Sequence, residues 1–307
     1  MATFTQKFRT TSYPTISSHN PLNSQVGRTV LVTGGSDGIG FAIASAFAKA
    51  GASRVIILGR RQEALRVAAD KLNAARSRNE TVIMTFACDI TSLPSIESTW
   101  QSIAAAGIAV DVLVLNAGNV KFGLVSEDIT AAWTAFEINV LANLRVAKLF
   151  FGQIVASSGK KILINISTCS IHSSPAPFQA AYAASKIGFA NLVQNLADEL
   201  SVDKAQIVSI HPGAVLSETV RAKGYDENSL PWDDASLPSD FCVWLSTDSA
   251  KFLHGKFVWA NWDADELLER KSEIKSSPGM LRIGLQGAGF LDVTTMFDQI
   301  KDRVVRN

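Results

Sequence analysis

The sequence predicts an α/β fold: one doubly wound domain in which helices cover both faces of a parallel sheet. Short apolar runs rich in β-branched residues, such as TVLVTG (29–34) and RVIILG (54–59), have the composition of buried parallel strands. Helical stretches follow them, the first being FAIASAFAKAG (41–51). Alternating strands and helices build a parallel sheet, because right-handed crossovers connect such strands compactly. The 307 residues show no internal repeat and no linker, so we expect a single domain.

The remaining elements continue the alternation. Further strands are predicted at 81–90, 111–118, 160–167 and 205–213, and further helices at 62–76, 133–155 and 181–200. The turn-rich segment 218–240 is typical of a substrate cover, and 256–274 of a last strand and helix. We therefore divide the chain into an N-terminal arm (1–28), a catalytic domain (29–262) that includes a substrate loop (217–240), and a C-terminal extension (263–307).

The composition argues against several classes of function. A net charge of +1 gives no basic field for nucleic acid or an anionic membrane, and no apolar run approaches the length of a membrane span. Cys88, Cys169 and Cys242 lie far apart, which indicates reduced, packed thiols in the cytoplasm and no metal site. The first 28 residues are rich in Ser and Thr but lack the Arg enrichment of a transit peptide, so we expect an extended arm.

A glycine-rich loop, TGGSDGIG (33–40), closes the first strand and opens the first helix. Glycines allow the backbone to turn tightly and to approach a ligand, and the helix N-terminus offers free N–H groups to a pyrophosphate. The position between strand and helix predicts a Rossmann-type dinucleotide site. The predicted contacts in this loop are Gly34, Ser36, Asp37, Gly38, Ile39 and Gly40.

Two arginines indicate which dinucleotide is preferred. Arg60 and Arg61 follow the second strand, where a carboxylate would accept the ribose 2′-hydroxyl of NAD(H) and an arginine suits the 2′-phosphate of NADP(H). The alternative is that both are solvated residues at a helix start. Asp37 argues for NAD(H), because its charge would repel a nearby phosphate. We expect NADP(H) to be preferred and NAD(H) to remain possible.

The sequence resembles the short-chain dehydrogenase/reductase family over roughly 28–262. The resemblance lies in TGGSDGIG, LNAG (115–118), YAASK (182–186) and HPGAV (211–215), which occur in the family's order, and in Asn139 of EINV. The chain departs from the family pattern in the acidic residue of its glycine loop and in a C-terminal extension, which resembles that of fungal members. The resemblance implies an oxidoreductase that uses a nicotinamide cofactor on a small molecule.

Tyr182 and Lys186 are the strongest catalytic candidates, being four residues apart on one face of a helix. An ammonium group near a phenol favours the phenolate, so we expect Lys186 to lower the pKa of Tyr182 from its ordinary value of about 10. By resemblance, Tyr182 is the proton donor, and Lys186 tunes it and holds the nicotinamide ribose. Asn139 would order a water that connects Lys186 to solvent.

The resemblance also implies further cofactor contacts. Asp89, with Ile90, corresponds to the adenine contact, and Asn116, Ala117 and Gly118 to the wall beneath the adenosine half. The turn at Pro212 and Gly213, with Val215 and Ser217 after it, lies where the family's loop meets the nicotinamide amide.

The stretch INISTCSIH (164–172) carries the group that would hold the substrate oxygen. Family members place a serine here, usually the second of a Ser-Ser pair, and this chain has Ser167-Thr168. Counting back from Tyr182 by the commonest spacing reaches Cys169 instead, but a thiol is a poor donor. We assign the role to Thr168, with Ser167 and Ser170 as alternatives.

The substrate itself is described only by class. Expected contacts are Ser170, His172, Phe178, Tyr225 and Trp232, with possible help from Trp259 and Trp262. Aromatic residues in a covering loop suggest an apolar or ring-bearing ketone such as a polyketide or terpenoid of secondary metabolism; their alternative role is packing under the loop.

The predicted activity is ketone reduction or alcohol oxidation, the alternatives being a lyase or isomerase without net redox and a non-catalytic NADPH-binding scaffold. Helices 133–155 and 181–200 would pair in a homodimer or homotetramer.

Overall fold

A computed structural model describes residues 4–120, 123–153, 160–173 and 178–284. Its centre is a seven-stranded parallel sheet with the strand order β3-β2-β1-β4-β5-β6-β7. The strands are β1 (Thr29–Thr33), β2 (Arg54–Gly59), β3 (Val82–Ala87), β4 (Val112–Leu115), β5 (Lys161–Ile166), β6 (Ala205–His211) and β7 (Phe257–Trp259). The order reverses between β1 and β4, which makes that crevice the expected ligand site of a doubly wound sheet.

Helices connect the strands. They are α1 (Gly38–Lys49), α2 (Gln62–Ala75), α3 (Leu93–Ala105), α4 (Ile129–Phe136), α5 (Asn143–Phe151), α6 (Ala180–Glu199), α7 (Glu218–Arg221), α8 (Ser236–Leu245), α9 (Ala264–Glu269) and α10 (Lys271–Ser276). A π-helix, Glu137–Ala142, joins α4 to α5. Short 3₁₀ helices lie at Pro21–Asn23, Cys169–Ile171 and Asp248–Leu253.

The predicted fold class is confirmed, and alternation along the strands explains it. In β1, Val30 and Val32 face one apolar core while Leu31 faces the other. The first core packs against α1, α2 and α8, and the second against α3, α5 and α6. Because both faces are covered, every residue of β1 is buried, which is why this strand has a continuous apolar sequence.

Two stretches differ in detail from the sequence prediction. The stretch 133–155 is not one regular helix, because α4 changes to a π-helix at Glu137 and to α5 at Asn143; residues 154–155 lie outside the described part. The predicted substrate loop 217–240 contains α7 and the first turn and a half of α8. The sequence did not predict α8, because Pro238 and the polar residues around it are typical of a turn. The helix is nevertheless buried along nearly its whole length.

The described parts of both termini pack at the β7 end of the sheet. Phe8 pairs with Trp262 in an antiparallel bridge, and Ile16 is fully buried. In the C-terminal segment, Leu281 O accepts a hydrogen bond from the backbone N–H of Phe257 in β7 at 2.8 Å. Gln194 of α6 exchanges two hydrogen bonds with the backbone of Ile283. The terminal segments therefore close this end of the structure.

Candidate active site

A groove of about 470 Å³ opens at the carboxyl end of the sheet, at the crevice between β1 and β4. The structure brings most of the predicted cofactor residues together in its lining: Gly34, Ser36, Asp37, Gly38, Ile39, Gly40, Arg60, Arg61, Asp89, Ile90, Asn116, Ala117, Gly118 and Ser217. Tyr182, Lys186, Pro212, Gly213 and Val215 lie outside that lining. The assignment of these residues to a cofactor stays a prediction.

The glycine loop is packed so closely that side chains are excluded. A Cβ atom on Gly40 would lie 2.2 Å from Gly34 O and 2.4 Å from Nδ2 of Asn116. Gly34 and Gly38 have φ values of +65° and +54°, which L side chains rarely adopt. Asp37 caps α1 by accepting a hydrogen bond from Gly38 N at 2.7 Å. The loop therefore brings bare backbone and a helix N-terminus to the groove.

Thr33 and Asn116 join the ends of β1 and β4. The Thr33 hydroxyl oxygen accepts hydrogen bonds from the backbone N–H groups of Asn116 and Ala117, both at 3.0 Å. Nδ2 of Asn116 donates back to Thr33 O at 3.0 Å and to Gly34 O at 3.3 Å. Thr33 was not predicted as a site residue, because a threonine inside a β-branched run is read as an ordinary strand residue.

Asp89 lies at the far end of the groove, and its carboxylate is held by Thr91. One Asp89 carboxylate oxygen accepts hydrogen bonds from the backbone N–H and the hydroxyl of Thr91, at 2.9 and 2.8 Å. These hydrogen bonds, and to a smaller extent the charge of Arg60, lower the pKa of Asp89. Arg60 and Arg61 are both exposed, so their guanidinium groups are free to meet a ligand.

Tyr182 lies in the first turn of α6 and is 9% exposed. Burial raises the pKa of its hydroxyl, and a hydrogen bond with the Thr168 side chain offsets part of that rise. The resulting pKa is about 12. The prediction that Lys186 lowers this pKa was therefore wrong in direction: burial dominates, and Lys186 is not among the groups that shift it. A raised pKa keeps the phenol protonated at neutral pH, as a proton donor requires.

Of the three candidate hydroxyls, that of Thr168 is the one joined to Tyr182. Thr168 Oγ1 accepts a hydrogen bond from Ser170 N and donates to Ser170 Oγ, each at 3.2 Å. Ser170 Oγ donates in turn to Oε1 of Gln179. The Ser167 hydroxyl is buried and has no partner among the described residues. Burial raises the pKa of the Cys169 thiol, so it stays neutral.

Lys186 is buried beneath Gly118. Its Nζ donates a hydrogen bond to Ile166 O at 2.9 Å, at the end of β5. A Cβ atom on Gly118 would lie 3.2 Å from this Nζ and 3.0 Å from Oδ1 of Asn139, so glycine allows both groups to approach the wall of the groove. Burial lowers the pKa of Lys186 to about 8, which leaves the ammonium mostly charged at neutral pH.

Asn139 is fully buried in the π-helix. Its Oδ1 accepts from Asn119 N at 2.8 Å, and its Nδ2 donates to Asn119 O at 3.1 Å and to Ser185 Oγ at 2.9 Å. Ser185 Oγ donates to Tyr182 O at 2.8 Å. The Asn139 side chain thus connects the loop after β4 to the helix that carries Tyr182 and Lys186. Its role in a water relay stays a prediction.

Asn119 and Ser185 are site residues that the sequence analysis missed. Ser185 lies within YAASK, where the motif marks only the first and last residues, and Asn119 acts through backbone atoms, which no sequence pattern shows.

The predicted substrate residues fall into separate groups. His172 stacks on Trp259 at a ring distance of 5.6 Å, and Nε1 of Trp259 donates to its Nε2 at 3.2 Å. Tyr225 packs edge-on against Trp232, whose Nε1 donates to Asp226 O at 2.7 Å. Phe178 is 60% exposed, and its carbonyl accepts a hydrogen bond from Gly123 N. Only Ser170 has a described contact with the Thr168–Tyr182 pair.

The part of the chain that the structure describes lacks two further features. It contains no cluster of three or more His, Cys, Asp or Glu residues that could hold a metal ion. No helix within the described ranges has the length and apolar character needed to span a membrane.

The burial of Lys186 predicts a specific dependence of stability on pH. Its pKa is about 8 in the folded state and near 10.5 when unfolded, so between these values the unfolded state binds more protons and stability rises with pH. At pH 7 the penalty for the buried charge is ~3 kcal/mol, and most of it is relieved by pH 10.

Urea unfolding of wild type and Lys186→Met at pH 7 and pH 10 measures this penalty. The wild-type free energy of unfolding should rise by ~2 kcal/mol more than that of the variant, since ~1.4 kcal/mol corresponds to one pKa unit. Lys160, Lys161 and Lys256 also have lowered pKa values, but both proteins share them. Equal rises in the two proteins would contradict the assignment of a charged, buried Lys186.

The chain is similar to known proteins over most of its length. A family model described as short chain dehydrogenase matches residues 28–228. The short chain dehydrogenase/reductase AacuD of Aspergillus aculeatus is 35% identical, over 92% of this chain and 96% of that protein. A short chain dehydrogenase/reductase of Claviceps purpurea is also 35% identical, over 92% of this chain and 94% of that protein. Among solved structures, a short chain dehydrogenase of Shigella flexneri complexed with NADP has a TM-score of 0.69 at 25% identity, covering 78% of this chain and 99% of that one.

Proposed function

Because the chain belongs to the short-chain dehydrogenase/reductase family of oxidoreductases, we propose that it interconverts a ketone and a secondary alcohol with NADP(H) as the redox cofactor. The observation that carries the proposal is the contact between the hydroxyls of Tyr182 and Thr168. This pair lies beside a buried ammonium group, Lys186, which approaches the wall of the dinucleotide groove at Gly118. A proton donor, a hydrogen-bond donor and a nearby cation suit reduction of a carbonyl group.

The residues of the groove fit a nicotinamide dinucleotide. Its glycine loop has no room for a Cβ atom at Gly40, as expected where backbone must approach a pyrophosphate. The start of α1 supplies the positive end of a helix. Gly34, Gly38 and the N-terminal turn of α1 would hold the pyrophosphate, and Arg60 and Arg61 would hold the 2′-phosphate. When bound, the cofactor supplies or accepts the hydride.

The chain's own residues would manage the proton and the substrate oxygen. Tyr182 would donate its phenolic proton to the carbonyl oxygen during reduction, because burial keeps that phenol protonated. The Thr168 hydroxyl would turn from Ser170 and donate a hydrogen bond to the same oxygen, which stabilises the developing negative charge. The Lys186 ammonium, which donates a hydrogen bond to Ile166 O, would hold the nicotinamide ribose. The Asn139–Ser185 hydrogen bond holds the helix that carries Tyr182 and Lys186.

The substrate is proposed to be an apolar, ring-bearing ketone such as a polyketide or terpenoid of secondary metabolism. The Tyr225–Trp232 pair and the His172–Trp259 stack offer flat apolar surfaces, and Phe178 is largely exposed. Flat aromatic side chains suit the faces of a ring system better than a flexible polar chain.

NADPH oxidation combined with product mass analysis tests the reaction. We would supply cyclic ketones, quinones and β-keto thioesters, with NADH in place of NADPH as the cofactor control. Turnover that gives the reduced product is the expected result. Products formed without net NADPH loss would instead indicate a lyase or isomerase. NADPH binding without any product would indicate a scaffold.

Arg60 and Arg61 should set the cofactor preference. Replacing either by alanine removes charge-assisted hydrogen bonds to the 2′-phosphate, worth about 1.5–3 kcal/mol, so we expect KM for NADPH to rise by ~10–100-fold. KM for NADH should change by less than about threefold, because NADH lacks that phosphate. Arg66→Ala is the matched control, since Arg66 lies on α2 and pairs with Glu63 and Asp70. An equal rise in both KM values would contradict the 2′-phosphate contact.

A further inference from the structure

A buried carboxylate holds the turn that follows β6. Ala214 N donates a hydrogen bond to Oδ2 of Asp233 at 2.7 Å, and Asp233 N donates to Ala214 O, also at 2.7 Å. These two bonds close a ring between the turn and the segment before α8. Asp233 is only 8% exposed, and no described lysine or arginine forms an ion pair with it.

The shape of the turn depends on this carboxylate. Gly213 has a φ of +88°, and a Cβ atom placed on it would lie 2.4 Å from Oδ2 of Asp233. The carboxylate therefore occupies the space that a side chain at position 213 would need. Turn and carboxylate fit together as one packed unit.

The other carboxylate oxygen connects the turn to the N-terminal arm. Nδ2 of Asn261, a residue only 1% exposed, donates to Oδ1 of Asp233 at 3.0 Å and to Arg9 O at 2.9 Å. Arg9 N donates to Asn261 O at 2.8 Å, and the Arg9 guanidinium pairs with Asp263 at 2.6 Å. One amide group thus joins three segments that are far apart in the sequence.

We propose that Asp233 is a positioning residue that fixes the Gly213–Ala214 turn for the nicotinamide end of the cofactor, and that Asn261 secures it to the N-terminal arm. This rests on the proposed function and on the family resemblance, which implies that the nicotinamide end of the cofactor lies beside the turn. Both carboxylate oxygens accept hydrogen bonds, which an anion can do and a primary amide cannot. Burial raises the pKa of Asp233, so its two N–H donors are what keep the charge in place.

Asp233→Asn is the direct test, because the new NH₂ group must face either Ala214 N or Nδ2 of Asn261, both of them donors. NADPH affinity is measured by fluorescence, and 2′,5′-ADP affinity by displacement; the second probe lacks the nicotinamide end. We expect the Kd for NADPH to rise at least tenfold and that for 2′,5′-ADP to change less than twofold. Asp234→Asn is the matched control, since the Asp234 side chain accepts from Ser236 N rather than from the turn.

Hydrogen exchange at Ala214 N tests whether Asp233 fixes the turn, independently of whether the proposed reaction is correct. Exchange there should be at least tenfold faster in Asp233→Asn, whether or not any ketone is a substrate.

Equal losses of affinity for NADPH and for 2′,5′-ADP would show a merely structural role and overturn the proposal, as would an unchanged NADPH affinity. If Asp233→Asn does not fold, Asn261→Ala carries the same test, with an expected threefold change in the affinity ratio; an unchanged ratio overturns the proposal. Wild type that binds 2′,5′-ADP but not NADPH would contradict the proposed function instead.

Discussion

Tyr182→Phe is expected to lower kcat by ~10²–10⁴-fold, because general acid catalysis contributes about that much. The substitution removes one hydroxyl and keeps the ring, so the packing of the first turn of α6 is retained. The Thr168 hydroxyl loses one partner but keeps its hydrogen bonds to Ser170. KM for NADPH should change little. Rates with NADPH and a reducible ketone, measured from pH 6 to pH 9, provide the test.

Tyr13→Phe is the matched control for this loss. Tyr13 is also buried, and its hydroxyl accepts from Ala264 N at 2.7 Å. Removing that hydroxyl leaves a buried N–H group unpaired and should cost ~1–3 kcal/mol of stability without lowering kcat. Retained turnover in Tyr182→Phe, or an equal fall in kcat in Tyr13→Phe, would contradict the assignment of Tyr182 as the acid.

Gly40→Ala is expected to weaken NADPH binding by at least ~100-fold, since the loop must shift to admit the methyl group and 1.4 kcal/mol corresponds to a factor of ten. The added carbon would meet Gly34 O at 2.2 Å and Nδ2 of Asn116 at 2.4 Å. Neither atom can move without breaking the hydrogen bonds between the ends of β1 and β4. Overpacking of this kind should also reduce the free energy of unfolding by ~1–3 kcal/mol.

Gly188→Ala is the control, because Gly188 is also a helical glycine but has more space. In the described part of the chain, the nearest atom outside its own helix backbone, Cε1 of Phe136, would be 4.0 Å from the added Cβ. An alanine there should stabilise α6 by ~0.5–1 kcal/mol and leave the Kd for NADPH unchanged. Isothermal titration with NADPH and thermal unfolding of both variants provide the comparison. Normal NADPH affinity in Gly40→Ala would show that the loop does not bind the pyrophosphate.

Local sequence patterns were sufficient for most of the fold. Strands such as β1 and β2 were predicted within one residue, because buried parallel strands need unbroken apolar runs and these are visible without tertiary context. Helix α8 was missed for the opposite reason. Its sequence, SLPSDFCVWL, begins with weak helix formers, and burial against α1 rather than propensity stabilises it.

In the candidate site, too, local motifs were predictable from the sequence and features that depend on tertiary packing were not. The glycine loop and the Tyr182–Lys186 pair lie in contiguous motifs, so their positions could be predicted. The sign of the Tyr182 pKa shift could not, because it depends on how deeply α6 is buried. The Asp233–Ala214 and Asp233–Asn261 contacts join residues distant in the sequence, and no local pattern marks them.

The π-helix at Glu137–Ala142 is a segment that should be kept when the protein is engineered for heat resistance. Nδ2 of Asn143 donates to the carbonyls of Ile138 and Asn139, which supplements the irregular main-chain pairing there. Deleting one residue would restore regular α-helical winding, but it would rotate the preceding residues by about 100° relative to α5. Asn139 would then turn away from Asn119 and Ser185. A redesign that rewards ideal helices would therefore select against the geometry that supports Tyr182 and Lys186.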